Sequence, residues 1–163
     1  MKSDYIEELN SLSKKIVESL AEKKLKISFA ESITGGLFVS SLTKISGASK
    51  VLSESFITYS EQAKTGILSV SHELIKAHGV YSLEVAEAML EGLGKITSAE
   101  VLLAVSGIAG PDAPDNHSVG EVYISIRVLD KTLSLKPTFS GTREEIQIQT
   151  VLFGFKKILE LLR

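Results

Sequence analysis

The sequence predicts an α/β fold: a three-layer α/β/α sandwich around a mixed, mostly parallel sheet of about five strands. Apolar runs of strand length alternate with stretches whose apolar residues recur every three or four positions, the spacing of helices that bury one face. One run, Glu100-Val101-Leu102-Leu103-Ala104-Val105, is almost continuously apolar, as expected of a strand covered on both faces. Two further runs, 121–128 and 133–139, flank Asp130-Lys131, a hairpin turn signal that makes part of the sheet antiparallel.

Each element follows from its own pattern. Residues 4–24 carry Ile6, Leu9, Leu12, Ile16, Val17 and Leu20 at helical spacing, with Asp4 and Glu7 as a capping pair. Lys26-Ile27-Ser28-Phe29-Ala30 reads as a strand, and a helix starting near Thr34 then turns Leu37, Phe38, Ser41, Leu42 and Ile45 inward. Ser55-Phe56-Ile57-Thr58-Tyr59 is a second strand, leading into a short helix or turn at Ser60-Glu61-Gln62-Ala63-Lys64. A helical stretch at 71–77 breaks at Gly79, and Ser82 caps a helix facing inward through Val85, Met89 and Leu93. Residues 107–119 form a loop rich in Gly, Pro, Asp and Asn. After the hairpin, Thr142 and Glu145 form a capping box ahead of a helix with Ile148, Val151, Leu152, Phe155, Ile158, Leu159 and Leu162 along one side.

Composition narrows the classes of function. A chain of 163 residues, 44% hydrophobic, suffices for one domain over 1–163 whose core needs neither disulfide nor metal. The net charge of -2, with both signs interspersed, offers no basic footprint for nucleic acid, so a small molecule is the default ligand. Cysteine is absent, which excludes zinc-thiolate sites, disulfide frameworks and cysteine nucleophiles. The opening Met1-Lys2-Ser3-Asp4-Tyr5 has neither the apolar core of a signal peptide nor a span of about 20 apolar residues. Cytoplasm is the expected location, with no membrane partner.

Ligands of open α/β sheets sit outside the carboxyl ends of the parallel strands, and Ser32, Tyr59 and Ser106 all fall at that edge. Ser32 stands where a strand turns into a helix, beside first-turn N–H groups that lack helical partners and favour an anion. Gly35 and Gly36 allow close approach to that backbone. Such a site can seat a phosphate, or it can stabilise the oxyanion formed when the serine attacks a carbonyl; the bland alternative is a serine that only caps a helix. A nucleophilic serine needs a base. His72 and His78, six apart, suit neither a helical metal pair nor a zincin, and His117 lies in a polar loop. Lys64 follows the second strand toward the same edge, provided its pKa is depressed by burial and a helix N-terminus rather than left at the solvated value. Lowering it to about 8 costs roughly 3 kcal/mol at about 1.36 per unit. The turn Ser106-Gly107-Ile108-Ala109-Gly110-Pro111 serves either as a ligand-binding loop or as an ordinary tight turn. Arg143 opens the last helix, where a cation opposes the macrodipole; a nearby anion explains that placement, and a surface ion pair with Glu144 is the alternative.

Six ordered blocks together resemble the CinA C-terminal domain family, whose active members are nicotinamide mononucleotide (NMN) deamidases. They are Ala30-Glu31-Ser32-Ile33-Thr34-Gly35-Gly36-Leu37, Tyr59-Ser60 with Lys64, Gly79-Val80-Tyr81-Ser82 before Glu84-Val85-Ala86, Ser106 to Pro111, Val119-Gly120-Glu121-Val122-Tyr123, and Gly141-Thr142-Arg143-Glu144. The resemblance covers nearly the whole chain. It implies hydrolysis of the NMN carboxamide to nicotinic acid mononucleotide and ammonia by a Ser-Lys dyad, with no metal and no cofactor. On that reading Ser32 is the nucleophile, Lys64 its general base, and Tyr59 a further catalytic position. Thr34, Gly35, Gly36, Ser106, Gly107, Gly110 and Arg143 are the expected substrate-binding residues, the amides of Gly35 and Gly36 being oxyanion donors and Arg143 or the loop amides the phosphate seat. A stand-alone form of the domain and homodimerisation are also expected. The chain departs from the family in having Ser106 for threonine, Asp112-Ala113-Pro114-Asp115-Asn116 for a glycine-rich run, His117-Ser118 for lysine-proline, and Gln147 for a second arginine. Two carboxylates beside a phosphate site would repel it unless they face solvent. A reading from another class, a catalytically silent nucleotide-binding module, therefore stands beside the enzyme.

Overall fold

The computed structural model describes residues 2–163, with side chains from residue 4 onward. Strands β1 (Ile27–Glu31), β2 (Phe56–Ile57), β3 (Val101–Gly107), β4 (Val122–Val128) and β5 (Lys131–Leu135) form a sheet of order β2-β1-β3-β4-β5. β1 pairs in parallel with β2 and β3, whereas β4 is antiparallel to both β3 and β5. Four of the five strands therefore point the same way, with β4 alone reversed.

Side chains alternate across a strand, and the two helical layers follow that alternation. Phe29, Leu103 and Val105 face α1 (Lys2–Lys23), α2 (Leu37–Thr43) and α6 (Arg143–Leu161). Ala30, Leu102 and Ala104 face the layer of α3 (Glu61–Leu68), α4 (His72–His78) and α5 (Leu83–Ile96). This two-sided burial explains the unbroken apolar run of β3. On the first face Phe38 stacks on Phe29 at 5.1 Å and meets Phe155 edge-on at 5.3 Å; burying each such ring contributes about 1.5–3 kcal/mol. On the second, α5 approaches α3 so closely that a Cβ at Gly92 would lie 1.9 Å from the Leu68 carbonyl oxygen. Only glycine permits that contact, which seats the helix carrying Lys64.

Several boundaries differ from the sequence reading, each for a local reason. α1 is already running at Lys2, so Asp4 lies within its first turn and not at the position before it. α2 begins at Leu37, not near Thr34, because Gly35 and Gly36 take left-handed φ values of 57° and 101° that keep the preceding turn out of the helix. β2 is only two residues long. The hairpin turns at Leu129-Asp130, and Lys131 already belongs to β5. That strand stops at Leu135, two residues before Pro137, which has no N–H for a ladder but whose carbonyl accepts from Val122 N–H at 3.0 Å. The caps read from the sequence are in place: Ser82 accepts from Val85 N–H, and Thr142 and Glu145 form a reciprocal capping box.

Candidate active site

Adjacent parallel strands deliver two polar side chains to one point. β1 ends at Glu31, and the next residue, Ser32, is tied to β3 through its N–H donating to the Val105 carbonyl at 3.1 Å. Beyond β2, Ser60 caps α3 by accepting from Ala63 N–H, which places Lys64 one turn into the helix with its side chain running back toward the strand ends. Its Nζ lies 3.0 Å from Ser32 Oγ, 2.7 Å from the Thr58 carbonyl and 3.4 Å from the Tyr59 carbonyl. Lys64 has no solvent exposure. Burial lowers its pKa from 10.5 to about 8, against a smaller upward pull from the Glu61 carboxylate.

The acceptors around the amine fit a neutral Lys64 acting as a base on Ser32. Carbonyl oxygens only accept, so the contacts to Thr58 and Tyr59 consume two N–H bonds of the amine. A neutral Lys64 then has its lone pair left for the Ser32 hydroxyl.

Glu31, immediately before the serine, carries out a task that sequence reasoning missed. Its carboxylate is fully buried and accepts from Thr34 Oγ1 at 2.6 Å and from the amides of Gly36, Phe38 and Val39 at 3.0, 3.2 and 3.1 Å. The N-terminus of α2 is thus filled from within the chain. The Gly35 amide is likewise engaged, donating to the Ser32 carbonyl at 3.1 Å. The expected role of the Gly35 and Gly36 amides as oxyanion donors is therefore corrected: both are already spent. Thr34, Gly35 and Gly36 line a separate cavity with Leu37 and Lys44 instead of the one that Ser32 faces. The signal for Glu31 was present as an acidic residue inside an apolar strand, three positions before a threonine.

Ser32 opens into a cavity whose wall includes Tyr59, Tyr81, Gly107, Gly110, Asp112 and Arg143. Arg143 Nη1 donates to the Gly110 carbonyl at 2.6 Å and Nη2 to the Tyr59 hydroxyl at 3.0 Å, so the guanidinium is positioned by neutral acceptors. That hydroxyl faces Arg143 and not the Ser32-Lys64 pair, and only the Tyr59 carbonyl reaches Lys64. Ser106, expected in the wall, lies beneath it: it is fully buried, with Oγ donating to the Val80 carbonyl at 3.4 Å. Gln147 Nε2 donates to the Ile33 carbonyl at 2.8 Å and braces the turn behind the serine. Asp112 lines the cavity and Asp115 does not, which divides the two carboxylates of the loop. Among the described residues no three His, Asp or Glu side chains converge as metal ligands.

The CinA C-terminal domain is the family whose sequence profile matches this chain, over residues 9–162. A CinA-like protein of Petrotoga mobilis is 36% identical over 162 residues, covering 99% of this chain and 40% of its own length. A CinA-like protein of Prochlorococcus marinus is 40% identical, covering 89% and 35% respectively. The chain thus spans two fifths or less of these curated relatives. Among solved structures, the competence/damage inducible protein CihA of Agrobacterium tumefaciens superposes with a TM-score of 0.92 at 30% identity, covering 96% of both chains. A CinA superfamily protein of Escherichia coli does so with a TM-score of 0.90 at 27% identity, covering 94% of this chain and 90% of the other.

Proposed function

Because the chain belongs to the CinA C-terminal domain family, we propose that it is an amidohydrolase that converts NMN to nicotinic acid mononucleotide and ammonia with a Ser32-Lys64 dyad. The observation that carries this reading is the buried Lys64 amine, 3.0 Å from Ser32 Oγ and held by two carbonyls in the orientation of a base. Desolvating the ammonium is unfavourable, so a buried lysine at this position is held at a cost that the chemistry of a base accounts for.

In the first half-reaction Ser32 Oγ attacks the carboxamide carbon while its proton passes to Lys64 Nζ, and the carbonyl π pair moves onto oxygen. The resulting ammonium returns the proton to the amide nitrogen, the C–N bond breaks, and ammonia leaves an ester on Ser32. Water then adds to that ester with Lys64 again as the base, and as the Oγ–C bond breaks the lysine ammonium returns its proton to Ser32 Oγ, releasing the acid product and restoring the serine hydroxyl and the neutral amine. The oxyanion takes its hydrogen bonds from the amides of Ile33 and Ala109. Both residues line the cavity beside Ser32, and among the described residues neither amide has a partner within the chain. Arg143 takes the substrate phosphate, for which its fork of donors is suited.

Ammonia release from NMN by the purified chain after chelator treatment tests the reading, beside Ser32→Ala and Lys64→Ala. Turnover by the parent and loss of at least about a thousandfold in each variant is the expected result. A folded parent without turnover would leave the silent nucleotide-binding module as the better account.

A further inference from the structure

Asp112 is out of place in a cavity built only to hold a phosphate ester. It lines the same cavity as Arg143, and the carboxylate would repel any ligand that brings negative charge alone. A ligand that carries both signs meets no such penalty. We propose that Tyr81 and Asp112 form a subsite selective for a cationic heteroaromatic ring, so that the cavity accepts a zwitterion: ring cation toward Tyr81 and Asp112, phosphate toward Arg143. The proposal rests on the amidohydrolase reading above and adds to it the charge state of the ring that the site selects.

The structure equips Tyr81 for this. Its ring is half-buried in the cavity wall and packs T-shaped on His117, with centroids 5.7 Å apart and planes at 73°. His117 is in turn held by Nδ1 lying 3.0 Å from Glu121 Oε2. Glu121 also accepts from the Tyr123 hydroxyl at 2.6 Å and from the Ser118 amide at 3.2 Å, while Lys136 Nζ lies 3.4 Å away. Four side chains and a main-chain amide thus brace the back of Tyr81. A phenol ring fixed in this way is a preorganised surface for stacking, and its π face attracts a cation at a centroid distance within about 6 Å. A pyridinium offers the matching partner: flat, aromatic and positively charged. Asp112, exposed two residues beyond Gly110, adds a Coulombic contribution that a neutral ring would not feel.

The test compares NMN with its 1,4-dihydro form, which keeps the carboxamide, ribose and phosphate but has a neutral ring. Calorimetric titrations use the full chain carrying Ser32→Ala, so that neither ligand is turned over. The expected result is roughly tenfold tighter binding of NMN than of the dihydro form. Adding Asp112→Asn should weaken NMN several-fold while leaving the dihydro form, which brings negative charge alone, unchanged or more tightly bound, and Tyr81→Leu should weaken NMN more than the dihydro form. Equal affinities for the two ligands, or equal losses in the Asp112→Asn variant, would overturn the subsite even if the unsubstituted chain hydrolyses NMN. Failure to bind either ligand, with no turnover by the unsubstituted chain, would overturn the amidohydrolase reading and the subsite with it.

Discussion

Lys64 Nζ and Ser32 Oγ meet at 3.0 Å although 32 residues of chain separate them. The contact exists because two parallel strands end side by side: Glu31 of β1 is in register with Ile57 of β2, and the Thr58 amide donates to the Glu31 carbonyl at 2.8 Å. Sheet register therefore sets the spacing of the proposed dyad before any side-chain rotamer does.

The rate of NMN hydrolysis should rise with pH through a single ionisation near pH 8. Lys64 acts as a base only when neutral, and with a pKa of about 8 roughly a tenth of it is neutral at pH 7. kcat/KM measured by ammonia release from pH 6 to 10 should climb about tenfold per unit below 8 and level off above it. A flat profile across that range would remove Lys64 from the role of base.

Stability should carry the opposite mark of the same burial. The folded-state pKa of Lys64 lies below its unfolded value of 10.5, so the penalty for holding the ammonium is full below pH 8 and is relieved as pH rises toward 10.5. The stability advantage of Lys64→Met over the parent should therefore be greatest near pH 7 and shrink by about 3 kcal/mol by pH 10.5. Urea denaturation of both proteins at the two pH values measures it.

Glu31→Gln puts an NH2 group in place of one of the two carboxylate oxygens that together accept four hydrogen bonds, so that it faces donors. We expect a loss of about 2–3 kcal/mol in stability, since donors at the start of α2 are left without an acceptor. Turnover should fall as well, because the turn that carries Ser32 is anchored on that carboxylate. Thermal melts and kcat at saturating substrate test the two effects separately.

Acid should loosen the brace behind Tyr81 late. Hydrogen bonds from Tyr123 and His117, with the nearby charge of Lys136, hold the Glu121 carboxyl down to about 2 against the opposing effect of burial. A depressed carboxyl contributes stability above its unfolded pKa of about 4.5 and loses it as pH falls toward 2. The stability gap between the parent and Glu121→Gln should stay constant from pH 7 to 5 and close toward pH 2, as read by chemical denaturation at each pH.

The apolar patterns of β1, β3, α5 and α6 were legible in the sequence because burial imposes a period that survives any detail of packing. Ser60 was read as the start of a helix or turn and Ser82 as a cap, and both accept from an amide three residues on. The details around Ser32 were not legible in the same way. A serine, two glycines and a helix start suggest open amides, and only the folded chain reveals that the Glu31 carboxylate and the Ser32 carbonyl have already taken them. Ser106 illustrates the complementary difficulty: a polar residue at the right strand end, but on the buried side of it. Tyr81 and Asp112 come from a helix-capping segment and a loop, with no periodicity to place them against the cavity; their arrangement depends on the His117-Glu121-Tyr123 contacts, which join residues of different local patterns.

The two residues proposed to break the bond are both supplied before position 65, while Tyr81, Asp112 and Arg143 come from three later segments. Reactivity and clientele are thus written in different parts of the chain. A lineage, or an engineer, can retarget the cavity by editing the loop at Asp112 without rebuilding the pair beneath it. The division also works in reverse: an inert copy that keeps its grip on a nucleotide is one substitution at Ser32 away, which makes this architecture a ready source of sensors as well as catalysts.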